Sequence, residues 1–192
     1  EGKGYRFRSR SDGEVICHLY HEHGLNLFER LDGMFAAALW IEKERTLILA
    51  RDLPGEKPLY YAEPKPGQLV FGSEIRSVEA FFDRRLTLNR QALWDFPTFL
   101  WVPEPATVYE EVRALPRGHL LVAKAEGIEI RSYRNLFNTG PLPESEPDVI
   151  AETRDLIERS IKSRLLSDVP VGCFLSGGLD SSIVSSVAAQ EL

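Results

Sequence analysis

Apolar residues change their spacing several times along the chain, and each change predicts an element. Over residues 12–24, Ile16, Leu19 and Tyr20 recur at helical spacing, with Asp12 placed to cap the helix and Gly24 to end it. A short apolar turn follows around Leu27, Phe28 and Leu31. Residues 34–41 and 46–50 are then nearly continuous apolar runs separated by the polar turn 42–45. Unbroken runs of this kind predict strands covered on both faces. Residues 59–62 and 68–72 predict a further hairpin around Pro64, Pro66 and Gly67. Helices are expected over 73–82 and 89–100, with Pro97 breaking or kinking the second. A last hairpin is expected from 118–124 and 128–133, turning at Glu126 and Gly127.

The texture changes beyond this hairpin. Residues 138–147 hold three prolines, one glycine and two glutamates, a linker composition. Ile150, Ile157, Ile161 and Leu165 then mark an amphipathic helix, and Pro170 ends that region. Residues 171–175 predict a short apolar strand, and 182–192 a helix after a glycine turn. The expected organisation is a domain over 1–137, a linker over 138–147 and the start of a second domain over 148–192. No internal repeat or low-complexity tract is visible. The chain opens on Glu1 and stops inside an apparent helix at Leu192, so it reads as a piece of a longer protein.

Composition narrows the function classes. With 192 residues, 43% hydrophobic and 27% charged, the chain is ordinary globular protein. A net charge of -6 without a basic stripe argues against a nucleic-acid or membrane-surface binder. No apolar run approaches the roughly 20 residues that span a bilayer, and residues 1–10 lack the apolar core of a signal peptide. Cys17 and Cys173 show neither disulfide-framework nor zinc spacing and read as small packed apolar residues, which suits a cytoplasmic location.

The densest chemistry lies in Ser176, Gly177, Gly178, Leu179, Asp180, Ser181 and Ser182. A glycine turn between a strand and a helix aims backbone N–H groups at one point, where the helix dipole adds about half a positive charge. Glycines let a phosphate approach the main chain, and three serines add hydroxyls. Asp180 would repel a phosphate unless a cation lay between them, and Mg2+ would take it as an oxygen ligand. A kinase P-loop has the spacing of Gly172 and Gly177, but Gly178 stands where its lysine must be, which argues against that reading. The plain alternative is a helix-capping turn of small residues with no ligand.

This segment resembles the pyrophosphate loop of the ATP pyrophosphatase superfamily. Upstream, 31–40, Ala50-Arg51-Asp52, Gly55, 57–61, 71–75, 115–119 and 167–172 are similar, in order, to stretches of glutamine-hydrolysing asparagine synthetases. The resemblance implies a mixed α+β and α/β protein. Its first domain would be the C-terminal part of an N-terminal-nucleophile glutaminase sandwich (αββα), and its second the start of an α/β adenine nucleotide α-hydrolase-like domain. It implies ATP and Mg2+, with ATP bound at Leu175, Ser176, Gly177, Gly178, Leu179, Asp180, Ser181 and Ser182 and the metal at Asp180. Ser11-Asp12-Gly13-Glu14 resembles the element whose aspartate binds the α-amino group of glutamine, here Asp12, although Gly13 departs from the usual Thr or Ser. Leu53, Pro54 and Glu56 also depart from the family pattern. The family's nucleophile is an N-terminal cysteine, so no catalytic residue is expected within these residues.

Other residues read as bland. His18, His21 and His23 suggest a solvated helix end more than a metal site, since no carboxylate or cysteine completes a set. Trp40, Trp94 and Trp101 are expected in a core or interface, and Arg51 with Asp52 as a structural ion pair holding the loop after them. The expected reaction is ATP-dependent amidation of aspartate by glutamine, with AMP and pyrophosphate released. The expected partners are the small molecules aspartate, glutamine and ATP, with a homodimer as an allowed assembly. A related amidotransferase acting on another carboxylate in surface-polymer assembly, a β-lactam synthetase, and a non-catalytic glutaminase-like interaction protein are the alternatives.

Overall fold

The computed structural model describes residues 4–9, 11–134 and 145–192. The chain divides into two compact units, Glu1–Asn135 and Leu136–Leu192.

The first unit is built on two antiparallel sheets. Strands β1 (Ala36–Ile41), β2 (Thr46–Arg51), β6 (His119–Lys124) and β7 (Gly127–Ser132) form one, in the order β1-β2-β6-β7. Strands β3 (Tyr60–Lys65), β4 (Gln68–Gly72) and β5 (Arg113–Ala114) form the other, in the order β4-β3-β5. Side chains alternate across each strand, so the two central strands of the first sheet bury both faces. Ile48 and Ala50 of β2, with Leu120 and Val122 of β6, pack on Leu27 and Phe28. Those two lie on a 3-10 helix, Gly24–Arg30, that follows helix α1 (Glu14–His23); Ile16, Leu19 and Tyr20 of α1 join the same cluster. From the opposite face Leu49 and Leu121 meet Leu59, Leu115 and Tyr61 of β3. The far side of the second sheet, through Ala62 and Val70, packs on Val78 of helix α2 (Ile75–Glu79) together with Leu86 and Val112. Three clusters thus stack four layers in the order α-β-β-α, the sandwich expected from the resemblance.

Helix α3 (Arg90–Phe99) starts at Asn89, whose side chain accepts the Ala92 N–H. Pro97 does not break it. The helix runs on to Phe99 and ends at Leu100, whose φ of 58° is left-handed. Pro97 cannot donate to the Leu93 carbonyl four residues back, and the helix ends within one turn of it. The second unit holds α4 (Glu146–Ser163) and α5 (Leu179–Glu191), linked by an ion pair of 2.7 Å between Lys162 and Glu191. Of the expected linker, 138–144 lie outside the described residues; Ser145 already caps α4 by accepting the Asp148 N–H, so 145–147 belong to the helix.

Several expectations are corrected. Strand β1 is not covered on both faces: its residues alternate between exposed and half-buried, because it is a sheet edge paired only with β2. Residues 171–175 form no strand, since a strand needs a neighbour for its ladder and the described residues of that unit provide none. Cys17 and Cys173 are exposed rather than packed. Cys17 is turned by roughly 100° from the inward-facing Ile16 on α1, and Cys173 lies in the irregular segment before the glycine loop. Trp40, Trp94 and Trp101 are 49%, 78% and 45% exposed and belong to no core. Among the described residues no helix is long and apolar enough to cross a membrane.

Candidate functional site

In the second unit the glycine loop leads straight into α5. Gly177 has φ +81°, and a Cβ there would meet nothing within 4 Å, so glycine is required by the backbone and not by crowding. Gly178 is extended (φ -76°, ψ 162°) and stands at the N-cap. The N–H groups of Leu179, Asp180 and Ser181 therefore open the first turn with no helical carbonyl behind them. The hydroxyls are differently engaged than expected. Ser181 and Ser182 donate to the Gly178 carbonyl at 3.0 and 2.8 Å. Ser176 and Ser181 lie 2.9 Å apart, and the Gly178 N–H approaches Ser176 Oγ at 3.5 Å. In this arrangement the hydroxyl protons brace the turn, and the main-chain N–H groups are the donors left for an anion. Asp180 lies in the first turn, where the helix dipole alone favours a carboxylate. Leu175 and Leu179 are exposed at 66% and 77%.

A metal at Asp180 needs further oxygen ligands, because among the described residues no group of three or more His, Cys, Asp or Glu is placed to hold a metal ion. Mg2+ is commonly held by one or two carboxylates plus the phosphates of its substrate. A lone exposed carboxylate beside a phosphate-sized turn fits an ion that arrives with a nucleotide, and does not fit a resident metal.

In the first unit Asp12 does not cap α1. Gly13 occupies the N-cap position without a side-chain bond, and the Asp12 carbonyl accepts the Val15 N–H at 3.1 Å. The Asp12 side chain is exposed, and its carboxylate has no partner among the described residues. The segment before it is held by Glu14. One carboxylate oxygen accepts the Arg8 N–H at 2.7 Å; the other accepts the Ser9 N–H at 2.8 Å and the Ser9 hydroxyl at 2.6 Å. These bonds, the Ser9 hydroxyl first, hold the Glu14 carboxyl down to about 2 from an ordinary 4.5. The histidines are not simply solvated. Tyr5 and Phe7 pack their rings on His18 at 4.7 and 4.9 Å, and the Tyr5 hydroxyl bonds His21 Nδ1 at 2.8 Å.

Arg51 and Asp52 hold the following loop, but not as a pair with each other. Neighbouring residues of a strand point to opposite faces. Asp52 is fully buried, and its carboxylate accepts the N–H groups of Phe35, Glu56 and Lys57 at 3.0, 2.7 and 3.0 Å. Arg51 pairs instead with Glu104 at 2.6 Å and donates to the carbonyls of Lys57, Gly55 and Leu115. Tyr133 closes the cluster by donating to the Arg51 carbonyl at 2.9 Å. Burial, then the nearby Asp52 charge, pushes the Tyr133 phenol up to about 12. The departures Leu53, Pro54 and Glu56 fall within this braced loop. Sequence reasoning missed Glu104, Ser9 and the anchoring role of Glu14; only Glu14, two residues from Asp12, carried a local signal.

The layered first unit is an α+β two-sheet sandwich, and that class narrows on comparison. Residues 1–134 match the glutamine amidotransferase domain family, and residues 152–192 match the asparagine synthase family. The chain belongs to the glutamine amidotransferase family, whose match covers more than half of it. It is 36% identical over 191 residues to glutamine-hydrolyzing asparagine synthetase 1 of Bacillus subtilis strain 168, covering 99% of this chain and 30% of that protein. It is 34% identical over 190 residues to glutamine-hydrolyzing asparagine synthetase 3 of Arabidopsis thaliana, covering 99% of this chain and 28% of that one. The chain thus spans under a third of the length of these curated relatives. A glutamine phosphoribosylpyrophosphate amidotransferase structure from B. subtilis aligns at 18% identity and a TM-score of 0.47, over 98% of this chain and 40% of that one.

Proposed function

We propose that this chain is part of a cytoplasmic glutamine-dependent asparagine synthetase. In this reading 1–137 belong to the glutaminase domain, 138–147 to a linker and 148–192 to the start of the ATP-binding domain. The observation that carries the reading is the order of two matches on one chain, amidotransferase first and asparagine synthase second, the latter including a glycine turn with free main-chain donors.

Asp12 would receive the α-ammonium of glutamine, since an exposed carboxylate without a partner among the described residues gains most from a cation brought into a pocket. In the second unit, Leu175 would border the nucleotide, and the N–H groups of Leu179, Asp180 and Ser181 would hold the β and γ phosphates. Ser176, Ser181 and Ser182 would keep Gly177 and Gly178 in the required turn. Mg2+, held at Asp180 and by the phosphates, would supply charge neutralisation. The β-carboxylate of aspartate attacks the α-phosphorus and the bond to the β-phosphate oxygen breaks, giving β-aspartyl-AMP and pyrophosphate. Fixed donors aimed at the departing pyrophosphate favour that step, because they match charge that grows as the bond breaks. Ammonia released from glutamine then attacks the acyl carbon, expelling AMP and forming asparagine.

The test is pyrophosphate release by the full-length protein supplied with ATP, Mg2+ and glutamine across candidate acceptors. Release should require aspartate and should fall by about 100-fold in Asp180→Ala, the scale of losing one charge-stabilising group. Release driven equally well without aspartate would remove the asparagine assignment; unaltered release in Asp180→Ala would remove the role of the loop.

A further inference from the structure

We propose that Glu14 and Ser9 are positioning residues for glutamine binding, fixing through a hydrogen-bonded relay the turn that presents Asp12. This rests on the reading that Asp12 takes the glutamine ammonium. The relay starts at the Glu14 carboxylate, which accepts the Arg8 and Ser9 N–H groups and the Ser9 hydroxyl. The Ser9 oxygen in turn accepts the Ser11 N–H at 3.2 Å, and the Ser11 hydroxyl accepts the Gly13 N–H at 3.3 Å. Ser11, before Asp12, is thus tied through the Ser9 hydroxyl to the Glu14 carboxylate on the first turn of α1, and Gly13, after it, is tied to the Ser11 hydroxyl. The main-chain bonds from Glu14 to Ser11 and from Val15 to Asp12, at 3.3 and 3.1 Å, close the turn from the helix side.

The Glu14 side chain is only 17% exposed. Its helix neighbour His18 places a buried Nε2 3.5 Å from the carboxylate, without forming a hydrogen bond, under the rings of Tyr5 and Phe7. The ionised carboxylate can only accept, so the relay keeps a single donor direction, and its three short bonds favour that ionised form. Asp12 itself has no side-chain partner among the described residues. A free carboxylate on a turn pinned on both sides can meet a ligand's cation without first losing the freedom of a loose loop, which is the physical content of preorganisation. Gly13 gives the turn no side chain of its own to hold it, so the outside brace matters more at this sequence than where Thr or Ser follows the aspartate.

The experiment compares Glu14→Gln, Ser9→Ala, Ser9→Thr and Asp12→Asn in the full-length protein. It measures KM and kcat for glutamine hydrolysis, and pyrophosphate release driven by ammonia. Glu14→Gln and Ser9→Ala should each raise the glutamine KM by about 10-fold with kcat within about 2-fold, as expected for lost ground-state binding. Ser9→Thr keeps the hydroxyl and should retain the original KM, and ammonia-driven release should persist in Glu14→Gln, Ser9→Ala and Ser9→Thr. If Asp12→Asn raises KM while Glu14→Gln and Ser9→Ala do not, the positioning claim is overturned and the glutamine site survives. If Asp12→Asn leaves KM unchanged, the site assignment itself is overturned. Equal effects of Ser9→Thr and Ser9→Ala would also overturn the relay, since it runs through the hydroxyl.

Discussion

At the scale of single residues, Glu14 shows how a helix start can be misread. Acidic and polar residues ahead of an apolar helical spacing suggest a cap, and Asp12 holds the obvious position. The helix start instead has no side-chain cap: Glu14 turns back toward Arg8 and Ser9, and Asp12 has no side-chain partner among the described residues. The consequence can be measured in acid. A carboxyl held at about 2 when folded and 4.5 when unfolded binds protons more weakly in the folded state. Its contribution to stability is therefore complete above the unfolded value and drains away as pH falls from 4.5 toward about 2. Unfolding midpoints of the wild type should drop more steeply than those of Glu14→Gln between about pH 5 and 3. Parallel curves would mean that the three bonds do not persist in solution.

At the scale of elements, the legible parts were those whose local pattern decides the structure. Strand β2 is buried on both faces, as its apolar run predicts, and β6, read from the sequence only as one arm of a hairpin, is buried likewise. The equally apolar run of β1 does not, because edge or centre is decided by which strands pair, and pairing is not a local property. Strand β5, with two residues, carries too little pattern to read and exists through its pairing with Tyr60 and Tyr61. The Arg51–Asp52 loop follows the same logic. That it would be held was legible from two charges between strands; that Glu104, 53 residues away, would take the guanidinium was not. The structure makes Asp52 the more demanding partner, since three N–H groups converge on a carboxylate with no exposure. Each amide orphaned in Asp52→Ala costs about 1–3 kcal/mol where water cannot replace the oxygen. Asp52→Ala should lower stability by roughly 3–5 kcal/mol and Asp52→Asn by less, because the amide oxygen still accepts one or two of the bonds. Urea midpoints of the two variants give the comparison; indistinguishable midpoints for Asp52→Ala and wild type would mean that water reaches the loop.

At the scale of the whole molecule, the order of layers was legible only through the resemblance, since periodicity marks a buried face without saying what covers it. The clusters supply that information: every residue of the three cores lies between Ile16 and Tyr133. The glycine loop belongs to the other compact unit. Asp12 and Asp180, the two carboxylates assigned to ligands, therefore stand on separately packed scaffolds, and neither is part of a core. If the chain's parent couples glutamine hydrolysis to adenylation, the two half-reactions should separate by mutation in the full-length protein. Asp180→Ala should suppress aspartate-dependent pyrophosphate release while glutamine is still hydrolysed. Asp12→Asn should suppress the glutamine-driven reaction while ammonia still supports pyrophosphate release at about the wild-type rate, because ammonia bypasses the ammonium pocket and demands nothing of Asp12. Both assays run on the same preparations, so global misfolding, which would abolish all activities together, is distinguished from loss at one site. Loss of the ammonia-driven reaction in a folded Asp12→Asn protein would place Asp12 outside a purely glutamine-binding role and overturn the division of labour proposed for the two units.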